Sequence, residues 1–410
     1  MWKHLGPGVL LAGAAIGGSH LVTSTQAGAV YGWSLLGILL LINVFKYPFF
    51  LYGQKYTAAT GETILQGYMR LGRPYLILYF LLSLITGIVN IAGVSMLTGS
   101  LATNFGFPGV SVPLLSGIIM LICVLIIILG GYSLLKNFGK VIVLILGVST
   151  LAAMMISVVN GPVAPANFDG ESPWTIASFG FVIIFMGWMP APIEGSVWPS
   201  LWMNSQEKMR KASVKMREAM IDFHTGYGAS VLFALVFLIL GKMVVFGSGT
   251  ILSGQGSVFA RQLIDLYSVT LGPWTAPIII VAAFSAMFST SLTTIDAYPR
   301  SFAASLALLF QRLKHQFLIM HHIFLIVSGL LAFFIISSYA DRLVDMLSLA
   351  MILSFLAAPV YALLNYRIMF GKNVPSAFRP SLWLRILSVA GVLFLTGFSL
   401  VFLYWYFFLA

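Results

Sequence analysis

Charged side chains are so sparse in this sequence that most of it falls into apolar runs, each long enough to cross a bilayer as a helix of about 20 residues. Inside the hydrocarbon no water is available to take backbone N–H and C=O groups, so each run must satisfy its own hydrogen bonds. With 60% hydrophobic and only 8% charged residues among 410, no part of the chain carries enough charge for a soluble domain of that size. The whole chain therefore reads as one integral membrane domain. The opening Met1 to His4 leads straight into a long span and lacks the short apolar core and cleavage site of a signal peptide.

Eleven spans are expected, at about 7–31, 34–52, 74–101, 111–130, 138–159, 173–203, 223–247, 272–299, 316–338, 343–365 and 381–408. The basic residues Lys55, Arg70, Arg73, Lys136, Lys140, Lys208 to Arg217, Arg300, Arg312, Lys314, Arg367, Lys372 and Arg379 then fall in alternate loops. The opposite loops hold little beyond Arg261 and Arg342. That asymmetry puts the N-terminus in the cytoplasm and the C-terminus outside, in what we read as a bacterial inner membrane. The net charge of +11 thus reports membrane orientation and not nucleic-acid binding. The run Lys208 to Arg217 reads as a positive-inside anchor against lipid headgroups, with a grip on anionic lipid or a gate at the inner mouth as the alternative. Cys123, the single cysteine, lies mid-span and reads as packing.

Two spans are interrupted. Met186-Gly-Trp-Met-Pro-Ala-Pro-Ile-Glu194-Gly195 places a carboxylate and two prolines at membrane depth, and Gly17-Gly18-Ser19-His20 interrupts the first span. Pro190 and Pro192 lack the N–H that a continuing helix needs. Non-helical backbone at that depth is tolerated where it is buried in protein or lines a cavity, and paired breaks of this kind mark the binding site of a secondary transporter. Spans one to five and six to ten share one outline, a broken helix followed by four more, and start from opposite membrane faces. The fold expected is an all-α membrane protein with a 5+5 inverted repeat, about 7–159 and 173–365, plus an extra helix at about 381–408.

Of the eleven acids only Glu194 falls well inside a span. It reads as a cation ligand or proton carrier in the central cavity, or as a helix-start carboxylate meeting the dipole of the second half-helix. His20 offers an imidazole for a metal or a proton, or is bonded to carbonyls freed by the break. Met189 offers a thioether, although methionine more often fills an apolar helix. Ser289, Thr290, Ser291, Thr293 and Thr294 put hydroxyls on the eighth span, where bonding back to helix carbonyls competes with ion binding. Asp296 and Arg300, four residues apart near the inner end of that span, read as a surface or gating ion pair. Asn90, Asn43, Gln26 and Thr23 read as bridges between helices, and His321 and His322 as facing headgroups.

At these residues the chain resembles the Nramp family of proton-coupled divalent metal transporters, which share the LeuT fold. The resemblance rests on Leu5-Gly-Pro-Gly8, Gln26-Ala-Gly-Ala29 with Tyr31-Gly32, Leu39-Leu-Leu-Ile-Asn43, Thr60-Gly61 and Met189-Pro190, and on the span count and break positions. It implies a thioether ligand at Met189 and a coordinating carbonyl at Met186. The family's Asp-Pro-Gly-Asn break is here Gly17, Gly18, Ser19 and His20, so the metal-binding aspartate is absent and His20 takes the place of the liganding asparagine. Ala191 replaces the histidine after Met-Pro, and Asn90 and Gly93 align with the acids of the family's third span, so its usual proton route is missing.

The expected function is alternating-access transport of a divalent transition metal such as manganese or iron. The expected ligands are His20, Met189, Glu194 and carbonyls around Gly17 and Met186; Ser19, Asn90, Ser289, Thr290, Asp296 and Arg300 are candidates for coupling or gating. No cofactor is implied, the metal being cargo, and no nucleophile–base pair suggests an enzyme. One carboxylate leaves a divalent ion under-neutralised where unit charges ~4 Å apart still interact by ~4 kcal/mol at an effective dielectric of ~20. The alternative is therefore a proton- or sodium-coupled carrier of a small non-metal solute.

Overall fold

The computed structural model describes residues 6–409 apart from 107–108 and 166, without side chains for 130–146, 208, 210, 267, 270 and 271. The described residues form helices and no strand. The first span is α1 (Pro7–Ala15) and α2 (Thr25–Tyr31), joined by one π-helical turn at Ser19–Ser24 and bent by 46°. Then come α3 (Leu36–Thr60), the short α4 (Ile64–Leu71), α5 (Arg73–Ala102) and α6 (Val112–Asn160). The second break separates α7 (Phe179–Gly187) from α8 (Val197–Arg210), with a 3-10 turn at Ile193–Ser196 between them. The chain continues with α9 (Met216–Val244), α10 (Gly256–Leu271), α11 (Ala276–Leu309), α12 (Phe317–Ser338), α13 (Leu343–Ile368) and α14 (Leu382–Phe408).

Among the described residues eight single helices are long and apolar enough to span a membrane, nine with the bent α1–α2 pair counted as one. The expected eleven are not all separate helices. The sixth span is divided between two short helices, and the fourth and fifth lie in the one helix α6. The side chains at the expected boundary between those two, including Lys136 and Lys140, are outside the described residues.

Helices α5, α6 and α11 pack closely together, with α1 and α2 against α9, and α13 against α5 and α7. α11 is the most enclosed long helix, with two-thirds of its apolar window buried, whereas α12 and α14 leave most of theirs outward. Exposed Leu318, Leu330 and Phe334 on α12, and Leu393, Leu400 and Phe407 on α14, suit a lipid-facing surface. α14 lies against α3 and α13 and also touches α7.

Two glycines bring backbones close to the second break. A Cβ at Gly187 would run into the carbonyl of Met351 on α13, and one at Gly53 into the carbonyl of Ser196. Small residues at such crossings let helices approach in a membrane, where there is no hydrophobic drive between them. The break is thereby held between α3 and α13.

Candidate functional site

The two breaks face one another. Between them lies a cavity of about 30 Å³, bordered by Ser19 and Gly18 of the first break, Trp188, Pro190 and Ala191 of the second, and Asn90 of α5, with Thr290 and Tyr298 of α11 nearby. One water needs roughly 10–15 Å³ on this measure, so the cavity suits a small ion or very few waters.

Glu194 sits in the 3-10 turn that starts the second half-helix, fully buried. It is a helix-start carboxylate, as one of the two expectations has it, and the cavity-lining Asn90 and Tyr298 hold its carboxylate. Its Oε1 accepts from Tyr298 Oη at 3.1 Å, Asn90 Nδ2 at 3.3 Å and Ser354 Oγ at 3.4 Å. Its Oε2 has no partner at hydrogen-bond geometry, with the Thr86 hydroxyl and the Glu194 backbone N–H close to the carboxylate. A buried carboxylate oxygen left open costs free energy, so it marks a place for a proton, an ion or water.

Asn90 is the hub of this network. Beyond Glu194, its Nδ2 reaches Tyr298 Oη at 2.5 Å and Ser354 Oγ at 3.1 Å, and its Oδ1 accepts from Trp188 Nε1 at 3.0 Å. One amide so ties α5, α11 and α13 to the second break. Asn90 was expected among the helix bridges and coupling residues, and it is also part of the cavity wall.

His20 is bonded within its own break and to α9. Its Nε2 lies 2.8 Å from the carbonyl of Ser230 on α9, and its Nδ1 lies 2.8 Å from Ser19 Oγ. A carbonyl only accepts, so Nε2 carries the proton, and in the neutral ring Nδ1 accepts from the serine. Both nitrogens are thus committed to protein groups, and the expected convergence of imidazole and carboxylate on one ion does not occur in this conformation. The physical reason is the break itself: a buried imidazole needs two partners, and the π turn and α9 supply them.

Met189 is fully buried in the apolar core, at a cis peptide bond to Pro190. Thr290 Oγ1 donates to the carbonyls of Gly13 at 3.0 Å and Ala286 at 3.1 Å, stitching α11 to the first half-helix, and Gly17 is needed because a Cβ there would come within 2.6 Å of that hydroxyl. The carbonyl of Ser289 accepts from Thr293 Oγ1 at 2.8 Å, the back-bonded pattern expected as the alternative to ion binding.

Asp296 and Arg300 form their ion pair at 2.6 Å, but it is no surface pair. Asp296 is buried, accepts from Trp202 Nε1 of α8 at 3.1 Å, and has His321 Nε2 of α12 at 3.7 Å. His321 is buried there and does not face headgroups. The cluster joins α8, α11 and α12 away from the cavity lining. Among the described residues no group of three or more His, Cys, Asp and Glu is placed to hold a metal.

Sequence reasoning missed Lys46. It lies in α3, wholly buried, and its Nζ donates to the carbonyls of Met186 at 2.8 Å, Gly187 at 2.9 Å and Ala191 at 3.3 Å. The expected coordinating carbonyl of Met186 is therefore occupied by an ammonium. A signal existed: Lys46 is a cation inside an apolar span, between Phe45 and Tyr47, where only acids were weighed.

Two broken spans meeting at a small, mostly apolar cavity, within a bundle of long apolar helices, have the architecture of a membrane transporter. The likeness to solved structures agrees. A manganese transporter of Eremococcus coleocola superposes with a TM-score of 0.69 at 16% identity, over 97% of this chain and 85% of that one. MhsT in complex with L-phenylalanine gives 0.64 at 15% identity, over 96% and 98%. Mhp1, a nucleobase-cation-symport-1 family transporter with bromovinylhydantoin bound, gives 0.60 at 16%, over 98% and 93%. The chain belongs to the Nramp family (natural resistance-associated macrophage protein-like), whose profile matches residues 8–405. An uncharacterized protein of Pasteurella multocida (strain Pm70) is 40% identical over 404 residues, 97% of this chain and 91% of that protein. Members of the family need no cofactor.

Proposed function

We propose that this protein is a secondary active transporter that carries a divalent metal ion across a bacterial inner membrane by alternating access. The observation that carries the reading is the small cavity between the two breaks, whose lining residues Asn90 and Tyr298 hold the buried carboxylate of Glu194. Its size suits an ion, and the family and the manganese-transporter likeness support a metal. Manganese or iron is the cargo we favour, with Glu194 Oε2 as the anionic ligand, the Met189 thioether as the soft one, and hydroxyls such as those of Ser19 and Thr290 beside them. In our reading His20 positions the first break through Ser230, and joins the ligands only if that bond opens. Glu194 also serves as the group that takes up a proton when the site is empty, which would couple metal to proton movement. Two inverted repeats, about 7–159 and 173–365, would rock around this site, with the N-terminus cytoplasmic and the C-terminus outside.

The test is uptake of manganese into proteoliposomes by the parent protein, Glu194→Gln and His20→Ala. Loss with Glu194→Gln and retention with His20→Ala is the expected pattern. Uptake indifferent to Glu194→Gln would reject the site.

A second reading is favoured by Lys46, whose charge offsets that of Glu194 and lowers the attraction for a divalent ion. It is a carrier of a small non-metal solute, coupled to protons or sodium, with aromatic Trp188, Trp198 and Tyr298 around the cavity. Thermal stabilisation by an organic solute, with no response to manganese or iron, would select it.

A further inference from the structure

Half-helix α7 ends at Gly187, and its last carbonyls lose their usual donors. In a continuing helix the N–H of residue 190 would serve the carbonyl of Met186, but residue 190 is proline and has none. The carbonyl of Gly187 would take the N–H of Ala191, and the chain has left the helix before that point. Both carbonyls, together with that of Ala191 beyond the break, converge on the Nζ of Lys46. The negative end of the α7 dipole points at the same place. An ammonium has three N–H donors, and it finds three oxygens here.

We propose that these three carbonyls form a monovalent-cation seat which the chain fills with its own ammonium, so that Lys46 is a resident cation replacing a dissolved one. Two features of the geometry set the class of ion. The oxygens lie 2.8, 2.9 and 3.3 Å from the centre, whereas divalent ions draw oxygen ligands to roughly 2.0–2.6 Å. They are also neutral carbonyls, with no carboxylate among the Lys46 Nζ hydrogen-bond partners. The seat therefore suits ammonium or an alkali ion of similar size, and rejects manganese. Because it is filled, the end of α7 is fixed whether or not cargo is bound. The transporter also needs no dissolved cation at that point. This inference does not depend on what the cargo is.

The experiment uses thermal unfolding of the purified full chain in detergent, without cargo, for the parent, Lys46→Ala and Lys46→Gln. Lys46→Ala vacates the seat. Its midpoint is expected to fall and then to rise by about 3 °C or more on adding ammonium or methylammonium chloride, relative to N-methylglucamine chloride at equal ionic strength. Manganese chloride should give no such rise, and the parent should not respond. Lys46→Gln keeps donors and bulk without the charge, and is expected to be less stable than the parent and insensitive to ammonium. A Lys46→Ala protein indifferent to ammonium, or stabilised by manganese instead, would overturn the proposal. So would a Lys46→Gln protein as stable as the parent, or a Lys46→Ala protein that cannot be recovered even when prepared throughout in ammonium chloride.

Discussion

The first half-helix is held at its start by a side chain far away in sequence. Gly6 stands at the N-cap and offers no side chain, and Pro7 follows with no N–H. Asp222 of α9 supplies the cap in trans, with Oδ1 accepting from the Gly6 N–H at 2.8 Å and Oδ2 from the Gly8 N–H at 2.5 Å. Bonds to a charged group contribute about 1.5–3 kcal/mol each, so the lower end for two bonds gives about 3 kcal/mol holding α1 against α9. Removing that, as in Asp222→Ala, shifts the balance between docked and detached α1 by roughly 150-fold. Leu10 reports the change, because it is buried one turn into α1 and becomes reachable only when the half-helix swings out. With Cys123→Ala as background, a Leu10→Cys reporter should react with a maleimide far faster in Asp222→Ala than in the parent. Asp222→Asn, which keeps an oxygen acceptor without the charge, should fall between them. A labelling rate unchanged by Asp222→Ala would show that the carboxylate does not hold the helix, and the reasoning would fail.

Asp296→Asn removes the buried partner of Arg300 and weakens the Trp202 contact; a cost of about 3 kcal/mol is expected, read as a lower unfolding midpoint by tryptophan fluorescence. Gly187→Ala forces a methyl into the Met351 carbonyl, and overpacking of this kind costs about 1–3 kcal/mol or more, so size-exclusion chromatography should show a smaller folded fraction. In the loop after α3, the hydrogen bond from Arg70 holds the Glu62 carboxyl below the usual carboxylate range. The unfolded chain therefore binds the proton more readily. The contribution is complete above the ordinary carboxylate pKa and disappears as pH falls through the lowered one. With Arg70 57% exposed the contribution is small, and Glu62→Gln should slightly lower the neutral plateau of a stability–pH curve while leaving stability at low pH unchanged.

The sequence by itself determined the solvent this protein lives in and where its helices fail. Long apolar runs in a bilayer fold as helices, so their rough limits were legible though not their exact number, and so was the placing of both breaks. Pro190 and Pro192 cannot donate, and Gly17-Gly18 releases the backbone, whatever surrounds them. The isolation of Glu194 was likewise visible, because an acid at that depth is expensive enough to be noticed. What occupies the breaks was decided only by tertiary structure. His20 sits beside Ser19 in sequence, yet its outer nitrogen is taken by a carbonyl 210 residues away, and the carbonyls freed by Pro190 are taken by Lys46, 140 residues back. Apolar periodicity reports which residues avoid water but not which polar groups meet, since a hydrogen bond between distant helices depends on how they cross. Glycines such as Gly187 set those crossings, and their role becomes apparent only when the facing backbone is in place.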